Sequence, residues 1–242
     1  MMYLNERIDD LQRGGLRVIQ RADAFRFGTD AVLLADFAAP RRHDRVCDLG
    51  TGTGIIPLLL YARENTISAD AVEIQPDMAD MAARSMAMNG LNEKIRVLPG
   101  DLRSIRTLLP HARYDLVTCN PPYGKAGGTL LNPDASKRLA RHEESCAIED
   151  VACAAAWLLQ NGGRLCCVFP AARMIELSDA MRKYRMAPKR IRMVHSRVEK
   201  AAHLCLMEGM LDARPGLSIE PPLVIYDENN AYTPELRRIY GL

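Results

Sequence analysis

The segment Asn120-Pro121-Pro122-Tyr123 places an amide, two prolines and a phenol directly after the short apolar run 114–119. The exocyclic amine of a purine is a poor nucleophile, because its lone pair is delocalised into the ring. The Asn120 side-chain oxygen and the Pro121 carbonyl can accept its two N–H groups, and the prolines keep both acceptors aimed. The Tyr123 ring can stack on a planar group, which is worth about 1–3 kcal/mol for a nucleobase. We therefore predict that these four residues hold and activate a flat, conjugated amine, although the segment by itself would fit a strand-ending turn.

A second candidate site is the run "RVCDLGTGTGIIPLLL", whose pattern is typical of a strand, a turn and a helix. Gly50, Gly52 and Gly54 allow positive φ and let a ligand approach the backbone. A G-x-G-x-x-G dinucleotide turn requires a glycine where Ile55 stands, so the pattern departs from the nicotinamide fingerprint and disfavours an oxidoreductase. The preceding acid, Asp48, suits a ligand that ends in an ammonium group, as S-adenosylmethionine (SAM) does.

Two further acids follow the next two predicted strands. Glu73 lies 23 residues after Gly50 and can accept hydrogen bonds from both ribose hydroxyls, as an acid at this spacing does in dinucleotide folds. Asp101 can accept from the adenine amine, with Leu102 beside the ring. Each acid alone would more simply be a loop residue or a helix cap. Because ligands of open α/β sheets bind outside the carboxyl ends of the strands, the three acids together predict one SAM-binding crevice.

The scaffold for these residues is an alternation of short apolar runs and helical patterns that begins near residue 44. Parallel strands need crossover helices, so this alternation predicts an α/β fold with a seven-stranded, doubly wound, mostly parallel, Rossmann-like sheet. The predicted strands are Arg45–Leu49, Ser68–Ile74, Ile95–Leu98, Tyr114–Cys119, Gly163–Phe169, Lys189–His195 and His203–Leu211. Helices are predicted from Thr29 to near Pro40, from Pro76 to Asn89-Gly90, and from Ile148 to Gly162-Gly163.

Length, composition and charge narrow the class of protein. The chain has 242 residues, 48% of them hydrophobic, and a formal net charge of +2, which is typical of a globular domain and gives no overall basic field. We predict a single domain over 1–242, with an N-terminal extension and covering helix (1–43), a core (44–214) and a tail (215–242). The sequence shows no secretory signal and no apolar run of membrane-spanning length, so we expect a cytoplasmic protein without a membrane partner. The seven cysteines lack a C-x-x-C pair and are predicted to be buried thiols, with no metal site.

The motifs "DLGTGTG", "VEIQ", "GDL" and "NPPY", in this order, resemble those of Rossmann-type SAM-dependent methyltransferases that modify planar amino groups. From about residue 15 onwards the chain also resembles the bacterial valine-tRNA adenine-N6 methyltransferases, in segments such as "FRFGTDAVLLADFA", "PKRIRMVH" and "PPLVIYDENNAYTPELRRIY". This resemblance implies a class I fold whose last strand is antiparallel, SAM as cofactor, and adenine 37 of a valine tRNA as substrate. Protein-glutamine N5 and rRNA guanine-N2 methyltransferases use the same NPPY loop and remain alternatives.

The resemblance also assigns residues to the cofactor site. It implies SAM contact by Asp48, Gly50, Thr51, Gly52, Glu73, Asp101 and Leu102, and the adjoining Gly54, Ile74 and Asn120 complete the predicted set. Three more residues fall where such enzymes place a helix over the methionine end of SAM: Phe27, Thr29 and Asp30.

Two groups of basic residues are candidates for contact with RNA phosphates. One group follows the NPPY segment: Lys125, Arg138, Arg141 and His142. The other lies in the basic stretch 182–200: Lys189, Arg190 and Arg192. An ion pair within Arg141-His142-Glu143-Glu144, and a solvated connection in the second stretch, are the alternatives. We predict a tRNA or other structured RNA as partner, with an unpaired target base that is less costly to present than one in a duplex.

Overall fold

The computed structural model describes residues 3, 5–21, 28–122 and 147–242. Six predicted site residues lie outside these ranges: Phe27, Tyr123, Lys125, Arg138, Arg141 and His142. The strands are β1 (Glu6–Asp10), β2 (Arg17–Arg21), β3 (Arg45–Leu49), β4 (Ser68–Glu73), β5 (Ile95–Pro99), β6 (Tyr114–Cys119), β7 (Leu159–Pro170), β8 (Met186–His195), β9 (Ala202–Leu211), β10 (Ser218–Ile219) and β11 (Leu223–Val224). The α-helices are α1 (Thr29–Ala38), α2 (Ile55–Arg63), α3 (Pro76–Met88), α4 (Ile105–Leu108), α5 (Ile148–Leu158), α6 (Met174–Lys183) and α7 (Pro234–Tyr240).

The central sheet has the strand order β10-β8-β9-β7-β6-β3-β4-β5, and β11 also pairs with β8. Strands β3 to β7 are mutually parallel, whereas β9 runs antiparallel to both β7 and β8. The predicted α/β class and the antiparallel last strand are therefore confirmed. The predicted count of seven strands is wrong, because β10 and β11 add two residues each by parallel pairing to β8. Strands this short show no hydrophobic alternation by which a sequence could reveal them.

The strand positions follow from burial on both faces of the sheet. Within β3, Val46 belongs to one core cluster and Cys47 to the other, as alternate side chains of a doubly covered strand must. Strands β3 and β6 begin and end at the predicted residues. Strand β7 begins at Leu159 rather than at Gly163, because Leu159 pairs with Tyr114 before an irregularity in the register, and α5 therefore ends earlier than predicted.

Helices cover both faces of the sheet. The first core cluster lies between the sheet and α1, α2, α3 and α7, and the second lies between the sheet and α4, α5 and α6. Helix α3 buries Met81, Ala82 and Ser85 on the side that faces the sheet and β2. The predicted helix before the first core strand is α1, which ends at Ala38 ahead of Pro40.

An antiparallel hairpin, β1–β2, precedes α1 and was not predicted from the sequence. It packs on α3, where the Ile19 amide donates to the Ser85 hydroxyl at 3.0 Å and Arg84 pairs with Glu6. The sequence of β1, "ERIDD", is charged at every position except Ile8, so it shows too little of the β-branched and aromatic pattern that indicates a strand, and only the tertiary contact reveals it.

The cysteines are free thiols within the described residues. Cys47, Cys119, Cys166, Cys167 and Cys205 are buried, as predicted, while Cys153 is half-buried. Burial raises the pKa of Cys205 to about 11, which disfavours the reactive thiolate. None of the helices in the described ranges is long and apolar enough to cross a membrane.

Candidate active site

The carboxyl ends of four parallel strands meet at one edge of the sheet. Leu49 at the end of β3 pairs with Val72 of β4 on one side and with Cys119 of β6 on the other. Glu73 ends β4 and pairs with Pro99 at the end of β5. The structure therefore brings together the predicted residues that end or follow these strands: Asp48, Gly50, Thr51, Gly52, Glu73, Ile74, Asp101, Leu102 and Asn120.

The turn after β3 is held by backbone hydrogen bonds. The amides of Gly50 and Thr51 both donate to the Val72 carbonyl, at 2.9 and 3.0 Å. Gly50 and Gly52 have φ values of 70° and 58°, in the left-handed region that favours glycine. A Cβ added at Gly50 would have no atom within 4 Å, so this side of the turn is open to a ligand.

Gly54 has different surroundings from the other two glycines. A Cβ at this position would clash with Met86 Cε, and the Gly54 amide already donates to the Thr51 carbonyl at 3.0 Å. The missing side chain therefore allows α3 to pack closely on the start of α2. This geometry supports a packing role for Gly54 and does not support the predicted cofactor contact.

Glu73 anchors the turn from the neighbouring strand. Its Oε2 accepts from the Gly52 amide at 2.8 Å, and its Oε1 accepts from the Gln75 amide at 2.9 Å. The residue is buried. Because each carboxylate oxygen has a second lone pair, the carboxylate retains capacity for two further donors, which is what the predicted ribose contact requires.

Asp48 is a buried carboxylate with one satisfied and one unsatisfied oxygen. The Thr118 hydroxyl donates to Asp48 Oδ1 at 2.7 Å, whereas Asp48 Oδ2 accepts no hydrogen bond of ordinary length from the residues that the structure describes. Burial raises the pKa of Asp48 to about 7; the hydroxyls of Thr118 and Thr51 lower it, and the charge of Glu73 raises it. Orphaned buried oxygens of this kind indicate a missing partner. Sequence reasoning missed Thr118, whose signal is a hydroxyl inside an otherwise apolar strand.

Asp101 and two apolar side chains complete the far side of the edge. The Arg103 guanidinium holds the Asp101 carboxylate at 2.6 Å, and this ion pair keeps the pKa of Asp101 below its usual value. Ile74 is 44% exposed although it directly follows a buried strand. Leu102 is half-buried beside the second core cluster. Exposed apolar surface at this point suits a flat ring such as adenine.

The first turn of α1 lies at the same edge, because the helix ends at Ala38 beside the amino end of the sheet. Thr29 is its first residue, and its Oγ1 lies 3.3 Å from the Tyr240 hydroxyl of α7. Asp30 faces His203 at the start of β9; burial lowers the pKa of His203, and the charge of Asp30 raises it. Thr29 and Asp30 thus lie at the carboxyl edge of the sheet, as the glycine turn does, while Phe27 lies outside the described residues.

Asn120 is half-buried and comes directly after Cys119, the last residue of β6. Pro121 is buried and Pro122 is exposed. A cavity of about 470 Å³ adjoins both prolines, and its wall includes the apolar side chains of Ile148 and Phe169. The described part of the Asn-Pro-Pro-Tyr segment therefore stands between the glycine turn and an open space large enough for a small planar group.

The three described residues of the predicted basic surface have different surroundings. Arg190 forms ion pairs with Glu220 and Glu208, and its guanidinium stacks on Phe37 at 4.4 Å. Arg192 is 14% exposed and pairs with Glu235 at 2.8 Å. Both arginines therefore hold α1, α7 and the tail against the sheet, and their surroundings do not support RNA contact. Lys189 contacts the Arg214 carbonyl at 3.4 Å and lies near the amino end of β8.

Comparison with known proteins decides the family. The family model described as "Methyltransferase small domain" matches residues 22–190. The chain is 32% identical over 231 residues to the tRNA1(Val) (adenine(37)-N6)-methyltransferase of Porphyromonas gingivalis, covering 91% of this chain and 89% of that protein. It is 34% identical over 216 residues to the protein of the same name from Tolumonas auensis, covering 88% of this chain and 86% of that protein. The chain belongs to the tRNA1(Val) (adenine(37)-N6)-methyltransferase family.

A solved structure supports the same fold for this methyltransferase family member. A predicted O-methyltransferase from Agrobacterium tumefaciens superposes with a TM-score of 0.73 at 24% identity, covering 88% of this chain and 96% of that chain. The edge described above fits the methyl donor of such enzymes, since SAM combines an ammonium group, a ribose and an adenine ring. The unsatisfied Asp48 oxygen suits the ammonium group, and the spare acceptor capacity of Glu73 suits the ribose hydroxyls. The exposed Ile74 side chain suits the adenine ring.

Proposed function

We propose that this protein transfers a methyl group from SAM to the N6 amine of an adenine in tRNA, and that its target is adenine 37 of a valine tRNA. The observation that carries the proposal is the pairing of Leu49 with Cys119. This pairing sets Asn120 beside the open glycine turn, so that an acceptor for an amine and a binding site for a methyl donor adjoin. The names of the two curated relatives supply the nucleotide and the tRNA.

The cofactor would be held by side chains at the ends of two neighbouring strands, β3 and β4. Asp48 Oδ2 would accept from the ammonium, Glu73 from the ribose hydroxyls, and Ile74 would contact the adenine. When bound, SAM supplies an electrophilic methyl group on a positively charged sulfur. For this chemistry the protein has to orient the acceptor amine rather than provide a strong base.

Asn120 and Pro121 would provide that orientation. The Asn120 side-chain oxygen and the Pro121 carbonyl accept the two N–H groups of the adenine amine, which directs its lone pair away from the ring. Pro121 has no N–H group to compete for these acceptors, and its ring limits backbone motion. The contribution of Tyr123, which lies outside the described residues, remains the stacking predicted from the sequence.

The topology indicates which cations of the stretch 182–200 can approach an RNA bound at this edge. Strand β8 runs from the amino edge of the sheet to the carboxyl edge, so Lys189 lies roughly 20 Å along the strand from His195. Arg197 and Lys200 follow His195, at the carboxyl edge, and neither forms an ion pair with a carboxylate in the part of the chain that the structure describes. We therefore place the phosphate contact at Arg197 and Lys200, with Glu199 as the opposing charge between them.

This placement has a matched control in the same stretch. The double variant Arg197→Ala/Lys200→Ala is expected to bind tRNA about tenfold more weakly, and to lower the slope of log K against log salt by about 1–2, because two phosphate contacts are lost. Arg182→Ala/Lys189→Ala removes the same charge at the amino edge and should bind as the wild type does. Fluorescence anisotropy with labelled tRNA measures both values, and equal losses in the two variants would reject the placement.

The proposed reaction is tested by incubating the purified protein with SAM and valine tRNA, followed by mass mapping of the modified nucleosides. We expect N6-methyladenosine at position 37, and no methylation of a transcript that carries guanine there. A release factor and ribosomal RNA are offered in parallel as substrates. Methylation of either one in place of tRNA would replace the proposal by the corresponding alternative.

A further inference from the structure

We propose that Thr118 is a positioning residue, which holds the Asp48 carboxylate in its charged form with one oxygen directed to the ammonium group of the cofactor. This inference rests on the proposed function, because it assumes that the ligand at this edge carries such a group. It concerns a residue outside the Asn-Pro-Pro-Tyr segment and outside the glycine turn.

The geometry follows from the register of two neighbouring strands. Asp48 of β3 and Thr118 of β6 are directly paired, and adjacent residues of parallel strands direct their side chains to the same face. The Thr118 hydroxyl donates to Asp48 Oδ1 at 2.7 Å, and both residues have no exposed surface. Asp48 Oδ2 has no hydrogen-bond partner of ordinary length within the described ranges. One oxygen of the carboxylate is thus fixed by the protein, and the other keeps unused acceptor capacity.

Two alternative explanations of this arrangement predict different behaviour. A hydroxyl that only fills space in the sheet would be replaced by a methyl group at little cost to ligand binding. A hydroxyl that stabilises the charged carboxylate would be needed most by ligands that carry a positive charge. The second explanation accounts for the unsatisfied Oδ2, which a purely structural aspartate in a buried strand would not retain.

The groups facing Asp48 indicate the direction of the effect. Burial raises its pKa, the hydroxyls of Thr118 and Thr51 lower it, and the charge of Glu73 raises it, with a result of about 7. Affinity for an ammonium ligand therefore rises as the pH rises through this value, because Asp48 becomes charged. Removal of the Thr118 donor raises the pKa of Asp48 further, so the rise in affinity should move to higher pH.

The experiment compares Thr118→Val, which keeps the shape of the side chain, with Thr118→Ser, which keeps the donor. Binding is measured by calorimetry with two probes, S-adenosylhomocysteine and 5′-methylthioadenosine, of which only the first carries the ammonium group. We expect Thr118→Val to bind S-adenosylhomocysteine about 10- to 100-fold more weakly at pH 7, from the loss of a hydrogen bond to a charged group. Its pH midpoint for binding should rise by about one unit, with 5′-methylthioadenosine affinity unchanged and Thr118→Ser close to the wild type.

Several outcomes overturn the inference. If Thr118→Val loses the same affinity for both probes, the role of Thr118 is only structural. The same follows if the pH midpoint of S-adenosylhomocysteine binding is unchanged in this variant. Unchanged affinity for S-adenosylhomocysteine means that Thr118 has no role in binding. The wild-type protein tests the proposed function separately. If it binds S-adenosylhomocysteine but does not methylate tRNA, the proposed substrate is rejected and the Thr118 comparison stays valid. If it does not bind S-adenosylhomocysteine, the proposed function and the role of Thr118 are both overturned.

Discussion

Asn120→Ala is expected to lower the rate of methyl transfer to tRNA by about a hundredfold to a thousandfold, the range seen when one preorganised polar group is removed from a reacting centre. The alanine cannot accept a hydrogen bond from the adenine amine, so the nitrogen loses the orientation in which its lone pair is available. Initial rates at saturating SAM and varied tRNA concentration measure the effect as kcat and KM. The loss should fall mainly on kcat, because the missing contact acts on the reacting amine.

Cofactor binding provides the control for this variant. The acids that would hold SAM lie on β3, β4 and the segment after β5, so most of the predicted cofactor contacts remain in Asn120→Ala, and its affinity for S-adenosylhomocysteine should fall far less than its rate. Asn120→Asp keeps an acceptor oxygen of the same reach and should retain part of the rate. Unchanged turnover in Asn120→Ala would reject the mechanism, and loss of S-adenosylhomocysteine binding would show that the variant disturbs the turn as well.

Arg164→Met is expected to lower the free energy of unfolding by about 3–5 kcal/mol, because it removes the buried cation that two buried carboxylates share. Arg164 is 5% exposed and lies in β7, where it pairs with Asp44 at 3.4 Å and with Glu208 at 3.2 Å. It also donates to the Ala38 carbonyl at 3.1 Å, and so joins α1 to the sheet. Urea denaturation followed by circular dichroism measures the change.

Two further variants test whether the destabilisation of Arg164→Met comes from the buried charges or from a general loss of packing. Lys183→Met removes an exposed pair with Glu149 and should leave the free energy of unfolding nearly unchanged, because solvent screens this pair. Adding Glu208→Gln to Arg164→Met removes one of the two buried carboxylate charges and should recover part of the lost free energy of unfolding. Since this network lies at the amino edge, opposite the candidate site, the folded fraction of each variant should keep its affinity for S-adenosylhomocysteine. An unchanged denaturation midpoint for Arg164→Met would contradict the assignment.

The central strands and helices of the fold could be predicted from the sequence because each one is marked by a short local pattern of residues. Strands β3 and β6 are covered on both faces, so each one is a mostly apolar run with clear ends, and the boundaries of both were predicted to the residue. Helix α3 is indicated in the sequence by Pro76 at its start and by the helical spacing of its apolar residues. The hairpin β1–β2 and the short strands β10 and β11 have no such signals, since they are held by contacts with α3 and β8.

The basic residues show where local reasoning about the site fails. Charge alone does not distinguish an arginine that contacts a ligand from one that pairs with an acid of its own chain. Arg190 and Arg192 belong to the second kind, because the tail brings Glu220 and Glu235 against β8. Arg197 and Lys200 are the better candidates only because the direction of β8 places them at the carboxyl edge.

The sequence by itself determined which chemical groups are present and in what order: the acids after successive strands, the glycine turn, and the Asn-Pro-Pro-Tyr segment. These motifs sufficed for the fold class and the reaction class, since each is a short stretch whose residue types limit its chemistry. Only the tertiary structure decided that Gly54 packs on Met86, that Asp48 keeps one oxygen unsatisfied, and that Thr118 fixes the other. Such roles depend on which residues become neighbours across strands, and the pairing of distant strands is set by the packing of the whole sheet.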